Sequence, residues 1–109
     1  MKLTFLYQPV DDLAAAAAFH RDQLGWDEAW RESDDTIAFA LPDGETQIML
    51  STSPMPAGPM YLVDDLTGWI RDHPGVELLV EPYEIPGGKV AGFSGPGGNT
   101  FYVFDMPEA

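Results

Sequence analysis

The sequence contains no cysteine, two histidines and five basic residues among its 109 residues. Because thiols are missing, the chain can form no disulfide, no thiolate metal site and no cysteine nucleophile. The two histidines, His20 and His73, both fall in segments predicted to be helical. We interpret both as structural, so a general base or a hard metal ligand would have to be a carboxylate.

Basic charge is scarce as well. The 18 acidic residues give a formal net charge of −13, and the lysines and arginines are scattered along the chain. Binding to nucleic acid needs clustered cations that displace counterions, and an anionic membrane surface repels an acidic protein. We therefore expect neither a nucleic-acid nor a membrane partner, and the charge favours a cationic or neutral small molecule.

Long hydrophobic runs are also lacking. No stretch approaches the roughly 20 apolar residues that a membrane-spanning helix needs. The apolar run at residues 3–7 is too short for the hydrophobic part of a signal peptide. The sequence thus predicts a cytoplasmic protein, and its 45% of hydrophobic residues is typical of one compact domain.

An internal repeat is the strongest pattern present. The tetrapeptide Val-Asp-Asp-Leu occupies residues 10–13 and again residues 63–66, an offset of 53. A turn at residues 42–46 recurs in similar form at residues 96–100, an offset of 54. Landmarks in the same order at nearly one spacing indicate a duplicated unit. We predict a single domain over residues 1–109, made of module one (1–52), a linker (53–58) and module two (59–109).

Each module is predicted to contain a strand, a helix and three further strands. The acidic pairs at the start of each helix are placed to cap its free amides, and five alanines favour the first helix. Module one has a strand at 3–8, a helix at 13–24 and strands at 27–31, 36–41 and 46–51. Module two has a strand at 60–63, a helix at 65–73 and strands at 77–85, 89–94 and 100–105.

One helix cannot cover both faces of the sheet in its module. The predicted fold class is therefore α+β: two βαβββ modules that form a paired, bowl-shaped mixed sheet, with the helices on the outer face. The concave face is the expected place for a ligand. Pairing of the modules within one chain and their exchange between subunits are both compatible with the sequence.

Two segments carry a family resemblance. Residues 18–26 read Ala-Phe-His-Arg-Asp-Gln-Leu-Gly-Trp, and residues 95–99 read Gly-Pro-Gly-Gly-Asn before the last strand. With the repeated βαβββ order, they resemble the vicinal oxygen chelate superfamily, the group of glyoxalases, bleomycin resistance proteins and extradiol dioxygenases. The resemblance covers almost the whole chain and implies a homodimer with its ligand in the concave face.

The resemblance also identifies where a metal would bind. The metalloenzymes of that superfamily place four ligands, typically His or Glu, on four strands. The matching positions here hold Phe5, Ile48, Gly58 and Tyr102. None of these side chains binds a divalent cation well, so the resemblance implies a metal-free member without a cofactor.

The concave face is predicted to be lined by aromatic and apolar side chains. Alternation places Phe5 with Tyr7 on one face of their strand, which the resemblance implies is the concave one, and it places Glu81 with Tyr83 on one face of theirs. If the face of Glu81 is the concave one, its carboxylate could neutralise a cationic ligand, but a solvated carboxylate is the favoured alternative. For the aromatic and apolar side chains, filling of the bowl as core or dimer contact is an equally weighted alternative. The predicted ligand-binding residues are Phe5, Tyr7, Trp30, Ile48, Met60, Glu81, Tyr83 and Tyr102.

Three functional hypotheses follow. The favoured one is a metal-free small-molecule-binding protein of the bleomycin-resistance type, which holds a cationic or aromatic organic ligand without reacting with it. The second is a glyoxalase- or dioxygenase-like metalloenzyme with non-standard ligands. The third is a metal-free lyase or isomerase, with Glu81 as its base and a tyrosine as its acid.

Overall fold

The computed structural model describes residues 1–108 and confirms the α+β class. It contains two compact units, one over residues 4–57 and one over residues 58–108 together with Met1–Leu3. Each unit has the predicted order of strand, helix and three strands. Among the described residues, the helices are too short to cross a membrane.

The first unit forms a mixed sheet with one helix. Its strands are hydrogen-bonded in the order β2-β3-β4-β1, with β1 parallel to β4 and the other neighbours antiparallel. A helix after β1 lets these two strands run in the same direction. The elements are β1 (Lys2–Pro9), α1 (Leu13–Ala18), β2 (Asp27–Glu32), β3 (Thr36–Ala40) and β4 (Gln47–Ser51).

Helix α1 begins at its predicted cap and ends differently from the prediction. The Asp12 carboxylate accepts a 3.0 Å hydrogen bond from the Ala15 amide, which satisfies one free donor of the first turn. The helical segment continues to Gln23, but residues 19–23 form a π-helical turn. Nδ1 of His20 lies 2.8 Å from the Ala16 carbonyl, the acceptor that its own backbone amide would use in an α-helix, and this competition favours the wider turn.

The core of the first unit lies between α1 and the sheet. Ala17 of the helix packs on β3 and β4, and His20 is buried with its ring stacked on Phe39 at 5.7 Å. The interpretation of His20 as a packed helix residue is therefore confirmed. The buried residues of this cluster are Ala17, Ile37, Phe39, Ile48 and Leu50.

The second unit repeats this plan. Its strands are hydrogen-bonded in the order β5-β8-β7-β6, with β5 parallel to β8. The core under the helix is formed by Leu66, Ala91, Phe93 and Val103. The elements are β5 (Gly58–Leu62), α2 (Leu66–Asp72), β6 (Glu77–Ile85), β7 (Gly88–Ser94) and β8 (Thr100–Asp105).

The capping of α2 corrects one expectation. Asp65 occupies the N-cap position, but its side chain makes no capping hydrogen bond. Asp105, at the end of β8, accepts instead from the Leu66 amide at 2.7 Å. At the other end, Nδ1 of His73 lies 2.7 Å from the Trp69 carbonyl, and the two rings stack at 4.2 Å. His73 is therefore a structural residue, as interpreted from the sequence.

Candidate functional site

Each unit leaves one face of its sheet without a helix, and we call this the open face. Residues paired across neighbouring strands point to the same side. In the first unit, Phe5 pairs with Gln47 and Tyr7 pairs with Met49. Since Ile48 between them packs under α1, these four side chains belong to the open face.

A β-bulge brings Trp30 to the same face. Glu28 pairs with Phe39 on the helix side, and strict alternation would return Trp30 to that side. The register shifts between Glu28 and Trp30, so that Trp30 pairs with Ala38. One extra residue in a strand reverses the side to which later residues point. The bulge therefore fixes the facing of Trp30, which alternation alone could not settle.

Phe5, Trp30 and Gln47 form a connected group, the indole cluster. The rings of Phe5 and Trp30 meet edge to face, with centroids 5.9 Å apart. Nε1 of Trp30 donates a 2.8 Å hydrogen bond to Oε1 of Gln47. Because Trp30 lies on β2 and Gln47 on β4, the indole reaches across β3, where the open face carries small alanine side chains. All three residues of the cluster are half-buried.

Gln47 is a residue of this cluster that is not among the ligand-binding residues predicted from the sequence. The turn motifs placed β4 at an offset of 54 from its repeat. The backbone hydrogen bonds of the two units correspond at an offset of 53 instead. The Val10 amide donates to the Ser51 carbonyl, and the Val63 amide donates to the Phe104 carbonyl, so donor and acceptor both move by 53 residues. Applying the 53-residue offset of the Val-Asp-Asp-Leu repeat to β4 would have placed Gln47 on the open face.

The same one-residue difference makes the prediction for Ile48 wrong. Ile48 was expected on the concave face, yet it is buried in the core under α1. Its counterpart at an offset of 53 is Phe101, which also packs on the helix side. Met49 is the counterpart of Tyr102. A slip of one residue moves a whole strand to the opposite face, so Ile48 is not a candidate ligand-binding residue.

Tyr7 lies on the open face but is buried. Its hydroxyl donates to the Ser53 carbonyl at 3.0 Å, which anchors the segment that follows β4. Beside it, the Ser51 hydroxyl accepts from Thr36 at 3.3 Å and from the Ser53 amide at 3.1 Å. The polar groups at this end of the face therefore hold the backbone in place.

The open face of the first unit is acidic at its rim. Asp27 and Glu32 share the open-face register of β2 with Trp30, and none of the open-face residues described on β1 to β4 is basic. Arg31 belongs to the helix side and binds Glu28 at 2.8 Å. The hydrogen bond from Arg31 lowers the pKa of the Glu28 carboxyl. The charge on this face suits a neutral or cationic ligand.

In the second unit, the predicted residues on the corresponding face are buried. Met60 pairs with Tyr102 on the side opposite α2, as expected from the sequence. Tyr102 is 0% exposed and Met60 is 6% exposed. A Cβ built on Gly92 would lie 3.1 Å from the Tyr102 ring and 2.9 Å from Val80, so the tyrosine fills the space above this glycine. The burial favours a packing role for Tyr102 and Met60, the alternative that the sequence left open.

Glu81 and Tyr83 do not share a face by alternation. Val80 pairs with Gly92 and Tyr83 pairs with Val90, so the two residues between them on β6 oppose a single residue on β7. This bulge interrupts the period-two pattern on which the prediction relied. Glu81 is exposed, and Tyr83 is 38% exposed on the same strand. Neither lies in an enclosed site of its unit.

The residues do not fit the superfamily's metal. A Cβ on Gly58 would clash with the backbone carbonyl of Thr100, so this backbone admits no ligand side chain at that position. Tyr102 is buried, and the open-face counterpart in β4 is Met49, a poor ligand for hard cations. Within residues 1–108, no group of three His, Cys, Asp or Glu residues is arranged to hold an ion.

A depression of about 310 Å³ opens beside Asp105 in the second unit. Its wall includes the carboxylates of Asp65, Glu84 and Glu108 together with Lys89. Asp105 itself is 5% exposed. Its two oxygens accept from the Leu66 and Lys89 amides, at 2.7 and 3.0 Å. Helix capping accounts for this buried carboxylate.

Comparison with known proteins gives one family match. The model of the glyoxalase/bleomycin resistance protein/dioxygenase superfamily matches residues 2–103. A search of the curated proteins finds no significant match.

Solved structures share the fold at low sequence identity. A Legionella pneumophila protein described as an NAD-dependent benzaldehyde dehydrogenase has a TM-score of 0.77 and 13% identity, covering 94% of this chain and 97% of its own. A glyoxalase/bleomycin resistance protein/dioxygenase superfamily member from Vibrio splendidus 12B01 has a TM-score of 0.67 and 18% identity, covering 93% and 95%. A methylmalonyl-CoA epimerase has a TM-score of 0.61 and 17% identity, covering 98% and 96%. At such identities the likeness extends to the fold alone.

Proposed function

The chain belongs to the glyoxalase/bleomycin resistance protein/dioxygenase superfamily, and from this premise we propose that it is a metal-free small-molecule-binding protein of the bleomycin-resistance type. It holds a planar organic ligand against the indole cluster on the open face of its first unit. Proteins of this kind sequester their ligand and do not transform it.

The orientation of Trp30 is the observation that supports this proposal. The indole is held by a 2.8 Å hydrogen bond to Gln47 and by a perpendicular contact with the Phe5 ring, with centroids 5.9 Å apart, yet it is only half-buried. An aromatic surface that is already immobilised loses little conformational entropy when a ring stacks on it. The face also favours positive charge, because the ring quadrupole and the rim carboxylates of Asp27 and Glu32 both attract cations.

The two enzymatic alternatives have less support. For the metalloenzyme, the family's ligand positions hold Phe5, Met49, Gly58 and Tyr102, whose side chains do not suit such an ion. For the lyase or isomerase, Glu81 is the candidate base, but it is exposed on an edge strand. A catalytic carboxylate is typically enclosed, because burial raises its basicity.

We also propose that the protein is a cytoplasmic homodimer. Leu78, Leu79 and Tyr83 are large exposed side chains on the edge strand β6, and apolar surface at a sheet edge favours association. Sedimentation velocity over a range of protein concentrations tests the assembly. A monomer at every concentration contradicts the homodimer and leaves the ligand-binding proposal in place.

Titration with N-methylacridinium, a planar aromatic cation, tests the ligand-binding proposal. Stacking on an indole quenches the fluorescence of this probe, so binding is followed without protein fluorescence. We expect saturable binding in the presence of EDTA. Trp30→Leu should weaken it at least about fivefold, since stacking on an aromatic ring contributes about 1 kcal/mol or more.

Phe19→Leu is the matched control. Phe19 is 51% exposed and lies on the helical segment that covers the other side of the sheet, so this change removes an exposed aromatic ring outside the proposed site. Its affinity for the probe should equal that of the wild type. Equal loss in both variants, loss of binding on addition of EDTA, or no saturable binding would each contradict the proposal.

A further inference from the structure

We infer that Gln47 is the hydrogen-bond donor that recognises the ligand, and that the ligand therefore carries a neutral carbonyl oxygen on its planar ring system. Lactam, amide and ketone groups on an aromatic ring belong to this class. The inference rests on the proposed function, because the ring is held by the indole cluster and the carbonyl by Gln47.

The indole fixes the orientation of the Gln47 amide. An indole N–H can donate and cannot accept. The group that faces Nε1 of Trp30 at 2.8 Å must therefore be the amide oxygen. The planar amide then directs its nitrogen, with two N–H donors, away from this bond. Trp30 thus determines which end of Gln47 is available to a ligand.

Within residues 1–108, the amide nitrogen of Gln47 has no hydrogen-bond acceptor. Among residues 1–108, the side chain of Gln47 makes a single hydrogen bond, the one that it accepts from Trp30. No buried side-chain nitrogen or oxygen in this range lacks a partner. Since Nε2 of Gln47 has none, it must reach solvent, although the residue as a whole is half-buried. An oriented and accessible donor beside an aromatic ring is the arrangement that a carbonyl on a stacked ligand requires.

Charge distinguishes a neutral carbonyl from a carboxylate. Both groups accept hydrogen bonds, but Asp27 and Glu32 share this face and no base among its described residues offsets them. The chain also carries a formal charge of −13. A carboxylate on the ligand would be repelled at short and long range. The uncharged acceptor is therefore the favoured partner of Gln47.

Three acridine derivatives separate these possibilities. N-methylacridone is neutral and has a ring carbonyl, whereas N-methylacridinium has nearly the same ring area and no carbonyl. N-carboxymethylacridone adds a carboxylate to the acridone ring. We expect the wild-type protein to bind N-methylacridone more tightly than its carboxymethyl analogue.

Gln47→Glu is the decisive substitution. A carboxylate still accepts from the indole N–H, but the N–H donors are gone and a negative charge is added. Affinity for N-methylacridone should fall about tenfold, because the carbonyl loses its donor and faces a carboxylate. Affinity for N-methylacridinium should rise or stay the same. A loss of affinity for N-methylacridone alone is not expected from general damage to the fold.

Gln8→Glu is the matched control. It makes the same chemical change on the neighbouring strand, but Gln8 pairs with Leu50 and belongs to the helix side. Neither probe should bind this variant differently from wild type.

A spectroscopic measurement needs no variant. N-methylacridone should shift the Gln47 side-chain amide signals in a proton–nitrogen correlation spectrum, and N-methylacridinium should shift them less.

The outcomes distinguish the inference from the proposed function. If N-methylacridinium binds in a Trp30-dependent manner while Gln47→Glu leaves N-methylacridone binding unchanged, the role of Gln47 is wrong and the aromatic site stands. Tighter binding of the carboxymethyl analogue overturns the neutral-acceptor assignment. If neither acridone nor acridinium binds the wild type, both proposals fail together.

Discussion

Asp105 accepts a 2.7 Å hydrogen bond from the backbone amide of Leu66, 39 residues earlier in the chain. Its other carboxylate oxygen accepts from the Lys89 amide at 3.0 Å. One buried side chain thus caps α2 and fixes the start of β7. In the first unit, by contrast, α1 is capped by Asp12 at its own N-cap position. The two modules have the same fold but satisfy their helix termini differently.

Asp105→Asn should destabilise the protein substantially. One carboxylate oxygen becomes an NH₂ group, which must then face a backbone N–H donor. Leaving a buried donor unpaired costs about 1–3 kcal/mol, so the free energy of unfolding in urea should fall by that amount. Asp64→Asn is the control, since Asp64 is exposed, and it should leave stability nearly unchanged. Equal urea midpoints for both variants would exclude a capping role.

Gly58→Ala should also destabilise the protein, for a steric reason. A Cβ at this position would overlap the Thr100 carbonyl on the paired strand β8. Relief of such a clash requires backbone movement, which costs about 1–3 kcal/mol. At Gly75 a Cβ meets nothing within 4 Å, so Gly75→Ala is the control. If Gly58→Ala unfolds at the wild-type denaturant concentration, the backbone does not exclude a side chain there.

Most of the fold could be predicted from the sequence because its signals are local. The five alanines, the capping Asp12 and the turn glycines mark where elements begin and end. Prediction failed where a distant residue decides the outcome. The side chain of Asp105, and not that of Asp65, caps α2, and nothing in the sequence near residue 65 indicates this.

The candidate site was less predictable because facing depends on register. Phe5 and Tyr7 were placed correctly, since β1 is regular. The bulge before Trp30 and the one before Tyr83 change facing without a clear local sequence signal. Ile48 was misplaced by one residue, which was enough to exchange core and open face.

His20→Ala should cost stability without affecting the proposed site. The ring is buried against Phe39 and Trp26, at 5.7 Å from each, and its removal leaves a cavity worth about 2–4 kcal/mol. The matched change His73→Ala removes an exposed ring stacked on Trp69, which should cost about 1 kcal/mol or less. Both variants should bind N-methylacridinium with wild-type affinity. If either histidine contacted the ligand, its replacement by alanine would lower the affinity for N-methylacridinium.

Asp43 should make the protein more sensitive to acid. Its carboxylate accepts from the Glu45 amide at 2.9 Å and from the Thr46 amide at 3.1 Å. These bonds lower the pKa of Asp43 in the folded state, that to Glu45 most strongly. A carboxyl whose pKa is lower in the folded state stabilises the fold at pH values above its unfolded-state pKa. This stabilisation is lost as the pH falls through the folded-state pKa.

Asp43→Asn isolates this contribution, because an amide oxygen can keep the backbone bonds and does not titrate. The wild type should therefore lose its advantage over Asp43→Asn as pH falls below about 4, near the unfolded pKa of an aspartate. The shifts at Glu28 and Asp35 are common to both proteins and cancel in the comparison. Urea unfolding at a series of pH values measures the difference, and carboxyl NMR titration locates the Asp43 midpoint. A midpoint at or above the ordinary aspartate value would mean that the two backbone bonds do not stabilise the charged form.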